Sequence, residues 1–213
     1  MGELFIRFMA PVIPQTTAQL FQILDRATQE KVERVHLLIS SPGGSVFHGL
    51  SIFNYLKGVP FDVHTYNFGS VDSIGVVVFC AGSRRLSVSH ARFLIHPVQF
   101  NVQGGAQFDE RQLDEHLKSV KIDQENIARV IADTTGQPLQ KIEEDMIRRT
   151  TLNPSQAKEY GLLHDIQATL LPAGARLAVI GEPIQVLPTP FIQATTPLVQ
   201  AFTGKVDYPT DGQ

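Results

Sequence analysis

Val35-His36-Leu37-Leu38-Ile39 is nearly all apolar, and it runs directly into Ser40-Ser41-Pro42-Gly43-Gly44-Ser45. A strand with one wet face alternates apolar and polar residues. One that does not alternate is covered on both faces, as in parallel sheets flanked by helices. The glycine-proline turn then ends the strand sharply. A helix over Ser45–Lys57 follows, stopped by Gly58 with Pro60 beyond. Upstream, Leu4–Met9 reads as a first strand. Thr16 or Thr17 can cap a helix running to Glu30, with Leu20, Phe21, Leu24 and Ala27 on one face. Downstream, Asp62–Phe68 is a third strand. This β-α-β-α-β order predicts an α/β fold with parallel pairing.

The third strand delivers Gly69-Ser70-Val71-Asp72-Ser73-Ile74-Gly75, followed by the apolar run Val76–Ala81 and Gly82. β-branched residues in that run favour a strand, but the alternation of elements demands a helix, and a helix is expected. Ser73 then lies at a helix N-terminus, where it could be a cap and nothing more. Arg84–Val88 and Arg92–His96 are two further short strands. Pro97–Val102 could be another, ended by Gly104-Gly105. A long helix is expected from Gln107 to Thr134, with Leu113, Leu117, Val120, Ile127, Val130 and Ile131 as its apolar stripe. Shorter helices at Leu139–Ile147 and Ser155–Tyr160 and a last strand at Leu163–Ile166 complete the body.

The 213 residues, 43% of them hydrophobic, suffice for one domain with a full core and an appendage. The net charge of −3 offers no basic surface for nucleic acid. The single cysteine, Cys80, lies in an apolar run, so it reads as a buried core thiol in a reducing compartment. No apolar run approaches the roughly 20 residues that span a bilayer, and the start has no signal-peptide pattern. A cytoplasmic location is expected. Beyond Gln167 the texture changes: six of the thirteen prolines fall in the last 42 residues. Leu177–Ile180 and Ile184–Leu187 are short apolar runs able to pair with the body, and Gly204–Gln213 is expected to be disordered.

Three features stand together as chemistry. The Ser41–Ser45 turn can present main-chain N–H groups to an anion, because glycine lets a ligand approach the backbone. Ser73 sits between glycines at the next strand exit. His96 closes the apolar strand Phe93-Leu94-Ile95-His96-Pro97. Acyl transfer needs such parts: a nucleophile, an imidazole to take its proton, and donors for an oxyanion. The other histidines, at 36, 48, 64, 90, 116 and 164, show no metal-ligand spacing, so neither a metal nor a cofactor is expected.

These segments resemble the Clp protease proteolytic subunits, S14-type serine peptidases of the ClpP/crotonase superfamily. Ser41–Ser45 resembles that family's glycine turn, Gly69–Gly75 its nucleophile segment, Ala91–Pro97 its histidine strand and Tyr160–Asp165 its closing Tyr-Gly-Leu segment. The resemblance implies stacked β-α-β units in a peptidase domain over residues 1–167, with a strand-helix handle at about 98–134; the proline-rich extension at 168–213, read from composition, has no counterpart in it. The resemblance also implies interlocking into a homo-oligomeric ring that encloses the serines and cuts peptides or unfolded chains, with an ATPase unfoldase as a conceivable partner. By the same carry-over Ser73 is the nucleophile, His96 the base, and the N–H groups of Gly44 and Ile74 the oxyanion hole. The family's acid falls twelve residues before the glycine of Tyr-Gly-Leu, where this chain has Arg149. An arginine accepts no hydrogen bond from an imidazole. Asp145, one helical turn earlier, is the substitute named first; Asn153 and, last, Asp72 are the others. A scaffold subunit with a crippled site, and a crotonase-like acyl-CoA enzyme, are the competing expectations.

Overall fold

The computed structural model describes residues 2–100, 104 and 107–181. At its centre lies β3 (Asp62–Asp72), a strand with different neighbours along its two halves. On one side it pairs in parallel with β2 (Arg34–Ser41), which pairs with β1 (Glu3–Met9), which pairs with β8 (Leu177–Gly181). On the other side, His64–Asn67 of β3 pair with β4 (Arg84–Ser87), and β4 with β7 (Asp165–Ile166). Ser70–Asp72 pair instead with β5 (Arg92–Leu94), whose far edge takes the two-residue antiparallel β6 (Thr151–Leu152).

The change of neighbour has a visible cause. The β2–β3 register slips between Ile39 and Ser41, so that Ser41 faces Val71 rather than a residue two beyond Asn67. Extra residues in one strand bend it and increase its twist. Asn67, fully buried, holds the bend: its Nδ2 donates to the Arg92 carbonyl at 2.8 Å and its Oδ1 accepts from Gly69 N–H at 3.0 Å. The end of β3 is thereby aimed at the end of β5.

The expected burial of β2 on both faces is observed. Val35, Leu37 and Ile39 join the main core with Leu4, Ile6 and Phe8 of β1. The intervening Leu38 packs on the opposite face with Phe5, Tyr66 and Leu86. Helices α1 (Pro14–Gln29) and α2 (Val46–Gly58) make the crossovers. The start of α1 differs from expectation: Pro14 opens the helix, as proline's fixed φ allows. Thr16 is its third residue and accepts from Ile13 N–H rather than serving as the cap itself. Ile74–Cys80 is the helix α3, despite its β-branched residues. Burial of every side chain in it explains how packing overrode propensity. Its C-terminus is tied down by the Thr65 hydroxyl, which donates to the Phe79 carbonyl at 2.7 Å.

The long helix α4 spans Glu110–Thr135, with Asp109 and Gln112 in a reciprocal cap and Gly136 in the left-handed conformation at its end. Its expected stripe divides in two. Ile127 and Ile131 are buried against the body, whereas Leu113 and Leu117 remain 53% and 51% exposed. Residues 97–100 are not in a strand, and the rest of the Pro97–Val102 segment lies outside the described residues. Helices α5 (Leu139–Ile147) and α6 (Pro154–Glu159) close the body. The compact unit takes in the described residues up to Gly181, because β8 is a full member of the sheet and Leu170 and Ala175 pack on the second face. The run Ile184–Leu187 and the tail Gly204–Gln213 lie outside the described residues. No described helix is long and apolar enough to cross a membrane.

Candidate active site

Ser73 occupies the corner between β3 and α3 with φ 58° and ψ −131°. Few residues other than glycine adopt this region, and holding one there costs on the order of 1–3 kcal/mol. Surrounding structure enforces it. The Ser73 N–H donates to the Leu94 carbonyl at 2.8 Å, and its own carbonyl accepts from Val76 N–H at 3.0 Å. Its hydroxyl makes no capping bond to α3, so the N-cap reading has no support in the geometry.

The glycine turn is pressed against this corner. A Cβ on Gly43, whose φ is +88°, would lie 2.6 Å from the Ser73 Cβ and 2.8 Å from the Asp72 carbonyl oxygen. Gly44 forms a parallel bridge with Val12: Val12 N–H donates to Gly43 O, and Ser45 N–H donates to Val12 O, each at 2.8 Å. In such a bridge the flanking residues make the bonds, and the central N–H points the other way. The Gly44 N–H is therefore not spent on Val12. The Ile74 N–H, first in its helix, likewise has no intrahelical partner.

Gly44, Ser73, Ile74 and His96 line one cavity of about 230 Å³, with Pro97, Gln99 and Ile127 among the other walls. Sequence reading had placed the first four, and the structure brings them together. It had no means of finding Gln99 or Ile127, since neither lies in a motif. No direct hydrogen bond joins the Ser73 hydroxyl to His96 among the described residues, and such bonds are often loose before substrate binds.

The partner of His96 Nδ1 is the main-chain carbonyl of Pro97, at 2.7 Å. Among the described residues no carboxylate pairs with this imidazole. The Asp145 carboxylate, with a side chain only 13% exposed, instead accepts from the Lys141 ammonium at 2.5 Å and the Tyr160 hydroxyl at 2.6 Å. Burial opposes its charge, but those two donors win and hold its pKa below the ordinary value. Asp72 accepts from Arg92 and Ser70, each at 2.8 Å. Asn153 caps α6 by accepting from Gln156 N–H at 2.9 Å. The structure thus gives each proposed substitute acid another task.

Arg149 stands where the family's acid was expected. The β5–β6 ladder pairs Phe93 with Leu152 and Leu94 with Thr151, and Ile95 N–H donates to Thr150 O at 2.9 Å. The ladder ends there, and Arg149 is the next residue back along the chain. It is exposed, with φ 56°, at the turn leaving α5. The reading of Cys80 as a buried thiol holds: burial pushes its pKa up to about 11, so it is an inert core group. No cluster able to hold a metal ion occurs among the described residues.

Comparison with known proteins extends this picture. The family model described as Clp protease matches residues 3–169. The ATP-dependent Clp protease proteolytic subunit 2 of Parasynechococcus marenigrum is 35% identical over 147 residues, 68% of this chain and 73% of that one. The proteolytic subunit 1 of Prochlorococcus marinus matches with the same identity and the same shares. A mutant ClpP1 from Listeria monocytogenes has the same fold, with a TM-score of 0.70 at 23% identity, over 78% of this chain and 91% of that one.

Proposed function

The chain belongs to the Clp protease family, and on that premise we propose that it is a serine-type endopeptidase acting on peptides or unfolded polypeptides. The observation that carries the proposal is one cavity lined by a strained serine, an imidazole and an unspent glycine N–H. In this reading Ser73 Oγ attacks the scissile carbonyl while His96 takes its proton at Nε2. The N–H groups of Gly44 and Ile74 receive the tetrahedral oxyanion, a contribution on the order of 10²–10³ in turnover for each donor. The leaving amine departs with the proton held by His96, and water then hydrolyses the acyl-serine by the same route in reverse. Acyl-CoA chemistry on a similar fold needs the oxyanion donors but no serine–imidazole pair, so the pair argues against it.

Assembly is part of the proposal. Leu113 and Leu117, one helical turn apart on α4, expose an apolar stripe that a second copy of the chain would cover. A homo-oligomeric ring would place the serines in an enclosed chamber and spare folded proteins. The relatives are named as subunits of ATP-dependent proteases, and an ATPase unfoldase is the partner that would feed such a chamber. One observation favours a second reading, an impaired scaffold subunit: Arg149 stands at the sequence position where the family's acid is expected.

Incubation of the intact assembly, its size first fixed by sedimentation, with a fluorophosphonate tests the proposal. Mass spectrometry should find the adduct on Ser73, and Ser73→Ala should abolish it. Labelling that persists in Ser73→Ala overturns the nucleophile assignment. No labelling of a properly assembled oligomer selects the scaffold reading.

A further inference from the structure

We propose that the main-chain carbonyl of Pro97 is the group that orients His96, standing in for the missing triad carboxylate. This rests on the reading of Ser73 and His96 as the reacting pair. The orienting partner of a catalytic imidazole must do two things: fix which ring nitrogen carries the proton, and hold the ring toward the nucleophile. A carbonyl oxygen can only accept. Its contact with Nδ1 at 2.7 Å therefore places the proton on Nδ1 and leaves Nε2 bare to receive the proton of Ser73.

The side chains able to compete are engaged elsewhere. Asp145 is held by Lys141 and Tyr160, Asp72 by Arg92 and Ser70, and Asn153 by the first turn of α6. Arg149, at the position where the resemblance puts the acid, accepts nothing.

Local stereochemistry keeps the carbonyl in place. A residue before proline is pushed to extended backbone, and proline's own φ is locked near −65°. His96-Pro97 is such a pair, so both ends of the six-bond link from imidazole to carbonyl are restricted. The strand beneath is pinned from both sides, by Ser73 N–H on Leu94 O at 2.8 Å and by Ile95 N–H on Thr150 O at 2.9 Å. Pro97 itself lines the cavity beside Ser73. A neutral dipole differs from a carboxylate in one consequential way. It sets the tautomer as well, but it stabilises the imidazolium of the transition state less. The arrangement therefore predicts a working but slow site.

Nitrogen NMR spectra of the intact, histidine-labelled assembly, with the His96 signals identified by their loss in His96→Gln, report the tautomer directly. The expected result at neutral pH is His96 protonated at Nδ1 and unprotonated at Nε2; the opposite tautomer overturns the proposal. Pro97→Gly frees the φ that aims the carbonyl. It should mix the two tautomers and lower kcat on a model peptide by about 10–100-fold, less than the roughly 10⁴ lost with an orienting aspartate, with little change in KM. A Pro97→Gly variant that keeps both tautomer and kcat overturns the proposal, as does an Asp145→Asn variant whose His96 tautomer shifts. Fluorophosphonate labelling of the parent separates the two readings. Labelled Ser73 with the wrong His96 tautomer defeats the Pro97 role alone. Unlabelled Ser73 defeats the reacting pair, and the Pro97 role with it.

Discussion

Two edges of the branched sheet, at β8 and at β6, are built differently. At one, β1 offers seven residues and pairs with the five-residue β8 in unbroken parallel register, Phe5 with Leu177 through Met9 with Gly181. At the other, β5 has three residues and β6 two, and beyond them the chain is held by single bonds such as Ile95 N–H to Thr150 O. The first edge is a continuous ladder with Ile180 fully buried. The second is a set of short, individually aimed pieces, and it carries Ser73, His96, Pro97 and Arg149. Stability is concentrated where pairing is long, and chemistry where strands end early enough to leave backbone groups unspent. The contrast predicts that damage at the site edge will cost activity out of proportion to stability, and damage at the β8 edge the reverse.

The largest effect is expected from Gly43→Ala. Its Cβ would collide with the Ser73 Cβ at 2.6 Å and the Asp72 carbonyl at 2.8 Å, at a φ of +88°. Displacing the nucleophile and the adjacent oxyanion donor together should lower kcat/KM for a peptide by about 10³-fold or more. Peptide turnover alongside a denaturant melt would check it, and unchanged turnover would mean that the turn is not part of the site. Ile180→Ala tests the opposite edge. Removing a fully buried side chain from β8 should cost about 2–4 kcal/mol in urea unfolding. Fluorophosphonate labelling of Ser73 in the folded protein should keep its rate; a matching loss of labelling would show that the two edges are coupled.

Arg149→Asp adds to the weak edge what it lacks. A carboxylate at the position of the family's acid should raise peptide turnover by about 10-fold, a fraction of the roughly 10⁴ such a group is worth in a site adapted to it. Turnover at or below that of the parent would show that position 149 does not reach the imidazole.

The smallest effect is on pH dependence, and it belongs to the face near β1. Burial lowers the pKa of His36, whose ring stacks on Phe5 at 4.1 Å and whose Nδ1 meets the Tyr66 hydroxyl at 2.7 Å. Burial also lowers that of His64, despite Asp62 at 2.9 Å. A depressed imidazole pKa means that the unfolded chain binds the proton first as pH falls. Stability is therefore complete above the unfolded value of 6.5 and declines as pH drops from there toward the folded values. Carboxylates with lowered values, among them Glu30 through Arg26, Asp62 through Ser83 and Asp165 through Lys158, lose their contribution only at more acid pH, as does Asp145. Urea midpoints measured from neutral pH to about pH 5 should fall, and the fall should shrink in His36→Gln. An unchanged slope in that variant would show that His36 does not titrate on unfolding in this range.

Local chemistry by itself determined a good deal of this protein. The unalternating Val35–Ile39 forced a strand buried on both faces, and the glycine turns after it and around Ser73 forced sharp strand exits. Gly136 bounds the long helix at its end, because turn formation acts over a few residues, whereas its start lies at Glu110 behind the Asp109 cap rather than at Gln107. Ser73, His96 and Gly44 were legible for the same reason: each stands at the end of an element whose pattern can be read. Tertiary structure alone decided what His96 leans on and where β6 and β8 go. A two-residue strand has no periodicity to read, and an edge ladder depends on a register set by residues over a hundred positions away. Asp145 has the right charge for a triad, yet Lys141, one turn earlier on the same helix, claims it as i,i+4 spacing allows, and Tyr160 completes the claim through packing that only the tertiary structure could show. Nothing in the side chain of Pro97 hints at a hydrogen-bond acceptor. The carbonyl that meets His96 is common to every residue, and only its position in space distinguishes it.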